Sequence, residues 1–470
     1  MAELTFGTDG WRAVIADEFT FANVRRVAAA IAGHVLKTHG ASRPVLVGHD
    51  TRFLARDFAR TVVGVLEHHG IEARLAVRDV PTPVIAHAAQ AVPTAGAVML
   101  TASHNPPQYC GIKYIPEYAG PATKEITDAI VAGIRPLTDE LAAVPASDGI
   151  AFDPEPAYKV EVLERFDIER MRRAGLKVGY DALHATGRGY TDQLLETLGC
   201  KVTALRMNVD PLFGGGMPEP APAYLGQLRD TILKEGLALG LANDGDSDRF
   251  GVLGEDGAWY TPNQVIALLA RHLHVRRGLS GAIVRTVATT HMLDRMAERW
   301  GLPLRETPVG FKWVGQVMRD EPVLIGGEES GGLSVLGHIP EKDGILADLL
   351  VAEMVAWEGK PLSAIWADLV AEAGGAPANR RLDLHLDQGA KEALMAAFRN
   401  HTPARFAGRA VRGTSVVDGI KWLLEGDAWV LARPSGTEPV VRIYLEAPDA
   451  AALGELEEAC RAMTHAPAHG

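Results

Sequence analysis

The segments TFANVRRVAAAIAGHVLK (residues 20–37), PVLVG (44–48), DFARTVVGVLEHH (57–69), IEARLA (71–76), VIAHAAQA (84–91) and AGAVMLT (95–101) follow one another, and their alternation decides the fold class. In the first, Val24, Val27, Ala28, Ile31 and Val35 recur at intervals of three and four, the stripe of an amphipathic helix, with Thr20 placed as its N-cap. The short apolar runs between such helices are too brief for helices of their own. Helices alternating with short buried strands predict a mostly parallel sheet covered on both faces.

The same alternation resumes after the Pro-rich, acidic stretch Asp153-Pro-Glu-Pro156, with strands expected at 176–181, 201–205 and 237–242. A third stretch carries expected strands at 282–287 and 323–327 and a long helix at 343–357, then a helix at 362–373. Beyond the break Gly374-Gly-Ala-Pro377 the pattern changes to a helix at 388–400, several short strands ending at 440–445, and a final helix at 450–463, which reads as a smaller α+β domain. The expected units are 1–150, 151–254, 255–373 and 374–470. Periodicity by itself reveals no internal repeat.

The chain has 470 residues, which at roughly 100–200 per domain excludes a single small module. Lys and Arg number 47 against 59 Asp and Glu, so the net charge of −12 disfavours nucleic acid and anionic membranes as partners and requires any bound anion to sit in a prepared cleft. The longest stretch without Asp, Glu, Lys or Arg, Val80 to Ile112, contains five prolines and two histidines and does not read as a membrane helix, which needs about 20 largely apolar residues. Cys110, Cys200 and Cys460 fit neither a disulfide framework nor a zinc spacing and predict a reducing compartment. The opening MAELTFGTDGWR lacks a basic stretch followed by an apolar core, so no secretory signal is expected and the cytoplasm follows.

Four motifs stand at the ends of expected strands. Thr101-Ala-Ser-His-Asn-Pro-Pro107 places Ser103 where α/β sheets present reactive groups, with His104 beside it and Lys113 further on; the same residues also make an ordinary polar turn. A serine acyl hydrolase is disfavoured, since Thr101 and Asn105 replace the glycines of the G-x-S-x-G elbow. Asn243-Asp-Gly-Asp-Ser-Asp-Arg249 sets Asp244, Asp246 and Asp248 at alternate positions in one turn, where three like charges repel unless a hard divalent cation neutralises them. An EF-hand fails because Arg249 replaces the glycine its turn needs. Gly326-Gly-Glu-Glu-Ser-Gly-Gly332 offers Glu328 and Ser330 on a Gly-rich loop suited to vicinal sugar hydroxyls, with a plain polar turn as the equal alternative. Arg433-Pro-Ser-Gly-Thr-Glu-Pro439 offers a phosphate cradle, or a common Ser-Gly turn.

Together these describe phosphoryl transfer on a phosphosugar. With Phe6-Gly-Thr-Asp-Gly-Trp-Arg12, Gly111-Ile-Lys113 and the four motifs in order, the chain resembles the α-D-phosphohexomutases, the bacterial and archaeal phosphoglucomutase/phosphomannomutases. The resemblance implies three similar mixed-sheet α/β domains and a C-terminal α+β domain resembling the TATA-binding-protein fold, around a central cleft. It implies that Ser103 carries a phosphoryl group and that Asp244, Asp246 and Asp248 hold Mg²⁺ with a phosphoserine oxygen. Arg12, Lys113 and Arg249 would complete a positive cluster, with His104 and His338 as positioning groups. Glu328 and Ser330 would hold hydroxyls, Lys312 would reach the substrate, and Arg433, Ser435, Gly436 and Thr437 would hold the non-reacting phosphate. Lys113 is the first candidate base and Lys342 the second, each equally readable as a phosphate contact. The implied reaction is glucose 1-phosphate to glucose 6-phosphate through glucose 1,6-bisphosphate, which would also act as activator, in a monomer or homodimer. Phosphomannomutase and phosphoglucosamine mutase are rival activities; the latter usually has Gln and His where this chain has Glu329 and Gly332. A non-catalytic phosphosugar-binding protein is the rival of another class. Cys110, where many members have Asn, is expected as an oxidation site near the serine.

Overall fold

In a computed structural model, which describes residues 4, 6, 10–400, 402–434 and 440–465, the chain forms four sheets in sequence. The first holds β1 (Trp11–Val14), β2 (Val45–His49), β3 (Ala73–Ala76), β4 (Ala97–Leu100), β5 (Tyr109–Ile115) and β6 (Ile150–Phe152) in the order β1-β5-β4-β2-β3-β6. Strands β4, β2, β3 and β6 run parallel, whereas β5 returns antiparallel to β4 and β1 antiparallel to β5. The sheet is therefore mixed: mostly parallel, with β5 alone running against the other strands. The antiparallel pair escapes a reading from alternation because β5 follows β4 with no helix between them.

Helix Phe21–Thr38 forms as its stripe predicts. Val24, Val27, Ala28, Ile31 and Val35 are buried, and the Thr20 hydroxyl accepts the Asn23 amide at 3.3 Å. Strand β2 is buried at all five positions, as expected of a central strand with helices on both faces. Chain order reverses across β2, with β3 on one side and β4 on the other, so the C-terminal ends of β2 and β4 flank a topological switch point.

The second sheet comprises β7 (Lys177–Asp181), β8 (Lys201–Leu205), β9 (Leu239–Asn243), β10 (Phe250–Leu253) and β11 (Trp259–Tyr260) in the order β11-β10-β9-β7-β8. The third comprises β12 (Ala282–Thr286), β13 (Leu304–Thr307), β14 (Val323–Gly327) and β15 (Leu333–Val335) in the order β13-β12-β14-β15. A repeat invisible to periodicity emerges here. In each of the three units a strand of the parallel set turns back through an antiparallel partner, at β4–β5, β9–β10 and β14–β15. The three turns are the serine loop, the acidic loop and the Glu328 loop.

Two expected unit boundaries move. Strand β6 pairs with β3, so the first unit extends to Phe152 instead of ending at 150, and β11 pairs with β10, so the second extends to Tyr260 instead of 254. A sheet edge closed by a two- or three-residue strand leaves no periodic signal. Buried residues from all three units, among them Val84, Tyr158, Leu241, Ile325 and Leu349, belong to one continuous apolar core. The hydrophobic driving force therefore holds the units as one block.

The last sheet is antiparallel, with β16 (Ala378–His385), β17 (Arg405–Phe406), β18 (Arg409–Ser415), β19 (Ile420–Leu424), β20 (Ala428–Pro434) and β21 (Val440–Ala447) in the order β16-β21-β20-β19-β18-β17. Alternation along β20 and β21 splits its two faces. Ala428, Val430, Ala432, Ile443 and Leu445 pack with Leu394 and Phe398 of helix Gln388–Asn400 and Leu456 of helix Ala450–His465, while Trp429, Leu431 and Tyr444 pack on Val287 and Ala288 of the third unit. Ser435, Gly436 and Thr437 lie outside the described residues.

Candidate active site

The serine loop and the acidic loop meet directly. Ser103 is buried, adopts φ +51°, and donates its Oγ hydrogen to Asp244 Oδ2 at 2.7 Å. A left-handed conformation at a non-glycine residue is costly and persists only where its surroundings impose it. Here the Ser103 amide is held by Thr101 Oγ1 at 2.9 Å, and its carbonyl by Arg52 at 2.6 Å. Gly245 explains how the two backbones approach so closely, since a Cβ there would lie 2.3 Å from the Ser103 carbonyl oxygen.

Asp244, Asp246 and Asp248 are all buried, and each has a carboxylate oxygen within 4.8 Å of the others'. Asp246 Oδ2 accepts from Thr82 Oγ1 at 2.6 Å and from Lys113 Nζ at 2.9 Å. Asp248 Oδ2 accepts from Lys113 at 3.4 Å and pairs with Lys342 Nζ at 3.2 Å. The other oxygens, Asp246 Oδ1 and Asp248 Oδ1, are buried without a hydrogen-bond partner among the described residues. Buried carboxylate oxygens are seldom left unsatisfied, and a hard cation is the ligand that oxygens so arranged would take. The residues present therefore fit a divalent metal. Electrostatics agree: burial, and then the charges of Asp248 and Asp246, push the Asp244 carboxyl far above the usual range. For Asp246 the burial penalty is outweighed by Lys113 and Thr82, which hold it below that range.

The acidic loop is braced from behind. Asn243 Nδ2 donates to the Arg249 carbonyl at 3.2 Å and to buried Asp348 at 2.9 Å, and its Oδ1 accepts from Thr191 at 2.8 Å and Tyr180 at 3.0 Å. Helix Gly344–Glu358 begins against the loop, with the Gly344 amide on the Ser247 carbonyl at 3.1 Å. A Cβ at Gly344 would stand 2.2 Å from the Arg249 carbonyl oxygen, so glycine is needed for this approach.

Of the other expected residues, Arg12, Arg249 and His104 contact the serine and acidic loops. Arg12, on β1, donates to Asn105 Oδ1 of the serine loop at 2.9 Å. Arg249 Nε is 4.0 Å from Asp248 Oδ1. His104 Nδ1 is 3.4 Å from Ser103 Oγ, and burial followed by the charges of Arg249, Arg12, Arg52 and Arg381 keeps its imidazole neutral. Glu328 is buried, accepts the Gly310 amide at 2.8 Å, and is pushed up to about 7 by burial and by Glu329. Ser330 is half-buried on the same turn. Lys312 is also half-buried, its Nζ 5.3 Å from the ring centre of Trp313, with no ion pair to the acidic loop among the described residues. Arg433 donates Nε to Asp418 at 2.7 Å.

His338 and Cys110 both have buried side chains. The His338 side chain is fully buried and pairs through Nε2 with Asp343 Oδ2 at 2.8 Å, an oxygen that also accepts from Tyr158 at 2.7 Å. It therefore orients the N-cap of helix Gly344–Glu358. Cys110 is fully buried and burial raises its thiol, so it lacks the accessible thiolate an oxidation site needs.

Arg52 was not legible as a site residue, although Asp50-Thr-Arg52 follows β2 as the serine loop follows β4. Its Nη atoms donate to the carbonyls of Ser103, Asn105, Pro106 and Tyr109 at 2.6–3.0 Å, and Nε to Asp50 at 3.1 Å. Arg52→Ala removes the donor that these carbonyls share and the ion partner of buried Asp50, and is expected to cost roughly 3–5 kcal/mol in a denaturant melt. Arg52→Lys keeps the charge but cannot reproduce the fork. It should retain the fold and lose turnover; wild-type turnover in that variant would show that the loop does not need this clamp.

Comparison with known proteins matches all four units. Phosphoglucomutase/phosphomannomutase alpha/beta/alpha domains I, II and III match residues 3–140, 156–257 and 261–373, and the C-terminal domain of the same family matches 389–463. The chain belongs to the phosphoglucomutase/phosphomannomutase family. A phosphoglucomutase/phosphomannomutase of Thermococcus kodakarensis is 30% identical over 94% of both chains. A probable phosphoglucosamine mutase of Methanothermobacter thermautotrophicus is 31% identical over 97% of this chain and 95% of that one. A crystallised protein of Thermus thermophilus is 36% identical, with a TM-score of 0.88 over 99% of this chain and 100% of that one. The protein is thus a phosphohexomutase whose relatives carry names for different sugars. Among its described residues no helix is long and apolar enough to cross a membrane.

Proposed function

We propose that the protein interconverts glucose 1-phosphate and glucose 6-phosphate, with Ser103 as phosphoryl carrier and glucose 1,6-bisphosphate as intermediate. The observation that carries this reading is Ser103 Oγ at 2.7 Å from Asp244, inside a buried acidic triad with two unpartnered oxygens. Asp244, Asp246 and Asp248 would hold Mg²⁺, which when bound would stabilise charge on the transferring phosphoryl group. The chain's own residues orient the partners. In the first half-reaction the bond from Ser103 Oγ to phosphorus breaks, a bond from the sugar hydroxyl oxygen forms, and the hydroxyl proton passes to a base. In the second, the bisphosphate turns over and the opposite transfer restores phosphoserine. Lys113 and Lys342, which both reach Asp248, would contact the phosphoryl group or accept that proton. Neutral His104 would hold the Ser103 oxygen, and Arg12 would steady the loop through Asn105.

Recognition would be divided between two loops. Arg433, with Ser435, Gly436 and Thr437, would grip the non-reacting phosphate in both poses, while Glu328 and Ser330 bind hydroxyls and Lys312 reaches the sugar phosphate from helix Phe311–Asp320. Because Glu328 titrates at about 7, it passes from hydrogen-bond donor to full acceptor between about pH 6 and 8. KM for glucose 1-phosphate should therefore rise as pH falls through 7. Glu328→Gln mimics the protonated form, so its KM should be about tenfold higher at pH 8 and flat across this range. An unaltered pH profile of KM in that variant would remove Glu328 from substrate recognition.

The deciding experiment compares turnover of glucose, mannose and glucosamine 1-phosphates with catalytic bisphosphate present. Glucose 1-phosphate should exceed glucosamine 1-phosphate by at least about tenfold in kcat/KM, a difference of about 1.4 kcal/mol. Mannose 1-phosphate differs from glucose 1-phosphate in configuration at one carbon and should also react. A preference for glucosamine 1-phosphate would overturn the assignment, and phosphosugar binding without turnover would favour a sensor.

A further inference from the structure

Val309 and Gly310 are consecutive residues just before helix Phe311–Asp320, and their amides serve two different carboxylates. Gly310 donates to Glu328 Oε1 at 2.8 Å, and Val309 donates to Asp418 Oδ2 at 3.0 Å. That same Asp418 oxygen accepts Nε of Arg433 at 2.7 Å. One carboxylate oxygen of the C-terminal unit thus touches both the arginine of the proposed phosphate cradle and the turn of the third unit that holds the sugar-facing glutamate. Since Arg433 spends Nε on Asp418, its two Nη groups, which make no hydrogen bond among the described residues, form the edge left for an anion.

The surroundings fix this geometry. Gly419, next to Asp418, has φ +83°, and a Cβ there would lie 2.4 Å from the Ala432 carbonyl oxygen. The turn carrying Asp418 is therefore pressed against the strand carrying Arg433. Val309 packs beside the cluster of Trp429, Leu431 and Tyr444 on Val287 and Ala288, and Lys421 Nζ donates to the Val287 carbonyl at 2.7 Å. Asp418 and Arg433 remain 21% and 17% exposed, so the pair is open to solvent and not in the core.

We propose that Asp418 is a positioning residue: it aims the Arg433 guanidinium and ties it to the Val309–Gly310 turn, so that one contact sets both the phosphate grip and the hydroxyl grip. The inference rests on the reading of Arg433 as a phosphate ligand. Its test is a double-mutant cycle in the full-length protein, with glucose 1-phosphate as substrate and bisphosphate varied. Asp418→Ala should raise KM about tenfold, change kcat less than about threefold, and increase the bisphosphate requirement. Added to Arg433→Ala, it should raise KM by less than about twofold, because a residue acting through Arg433 has nothing left to position. Asp418→Asn, which keeps an acceptor for Val309 but loses the charge that orients Arg433, should give an intermediate KM. Multiplicative effects in the double variant, or wild-type KM in both single Asp418 variants, would overturn the proposal. If thermal melting shows Asp418→Ala unfolded, the cycle with Asp418→Asn decides by the same criteria. If wild type binds and converts none of the three hexose 1-phosphates, the functional reading fails and this inference with it. If wild type is active and the cycle multiplies, only the inference fails.

Discussion

Ser103→Ala is expected to lose mutase turnover by at least about a thousandfold while binding glucose 1-phosphate within about threefold of wild type. The asymmetry follows from what the substitution removes. The Oγ that would carry the phosphoryl group disappears, whereas Arg433, Glu328 and the lysines that would grip the substrate stay where they are. The backbone is expected to hold, because the left-handed conformation of Ser103 is enforced by Arg52 on its carbonyl and Thr101 on its amide, neither of which involves the side chain. Alanine tolerates that conformation no better than serine, so a small loss of stability is expected. Turnover assays, calorimetric titration and intact-mass measurement check the three parts together. Wild type should carry one phosphate that the variant lacks, and activity within tenfold of wild type would end the phosphoserine assignment.

Asp246→Asn comes next in size. The substitution is nearly isosteric but removes one of three negative charges from the triad, and it weakens the contacts that fix the carboxylate to Thr82 and Lys113 at 2.6 and 2.9 Å. Losing an outer-shell partner of a metal ligand typically costs about 10–100-fold in affinity, so loss of the ligand's charge should cost Mg²⁺ affinity at least as much. Turnover should stay low at saturating Mg²⁺, since Asn supplies a weaker field to the transferring group. A measurement that does not depend on turnover separates this from misfolding. Mg²⁺ should raise the Tm of wild type, by linkage of binding to the folded state, and raise that of the variant much less. Wild-type turnover in excess chelator would rule out the metal.

Much of this protein is written locally in its chain. The stripe of helix Phe21–Thr38 and its Thr20 cap, the cap Asp343 on helix Gly344–Glu358, and the placement of motifs after apolar strands all depend on residues within a few positions of one another. The acidic triad is legible for the same reason, since three carboxylates two residues apart in one turn must lie close together wherever that turn goes. Tertiary structure alone decided the rest. Ser103 and Asp244 are separated by 141 positions, and Lys113 and Asp248 by 135, yet each pair meets because two sheets pack with the equivalent turns facing. Arg52 clamps the serine loop because β2 and β4 are neighbours across a reversal of strand order, which no spacing in the sequence announces. His338 meets Asp343 because a buried imidazole must find its partner in the packing around it. Asp418 joins two units through a single oxygen. Local patterns encode which segments bury a face and which residues share a turn. The meeting of distant turns depends on how whole sheets dock, and docking is set by the summed apolar contact of many residues, none of which identifies its partner along the chain.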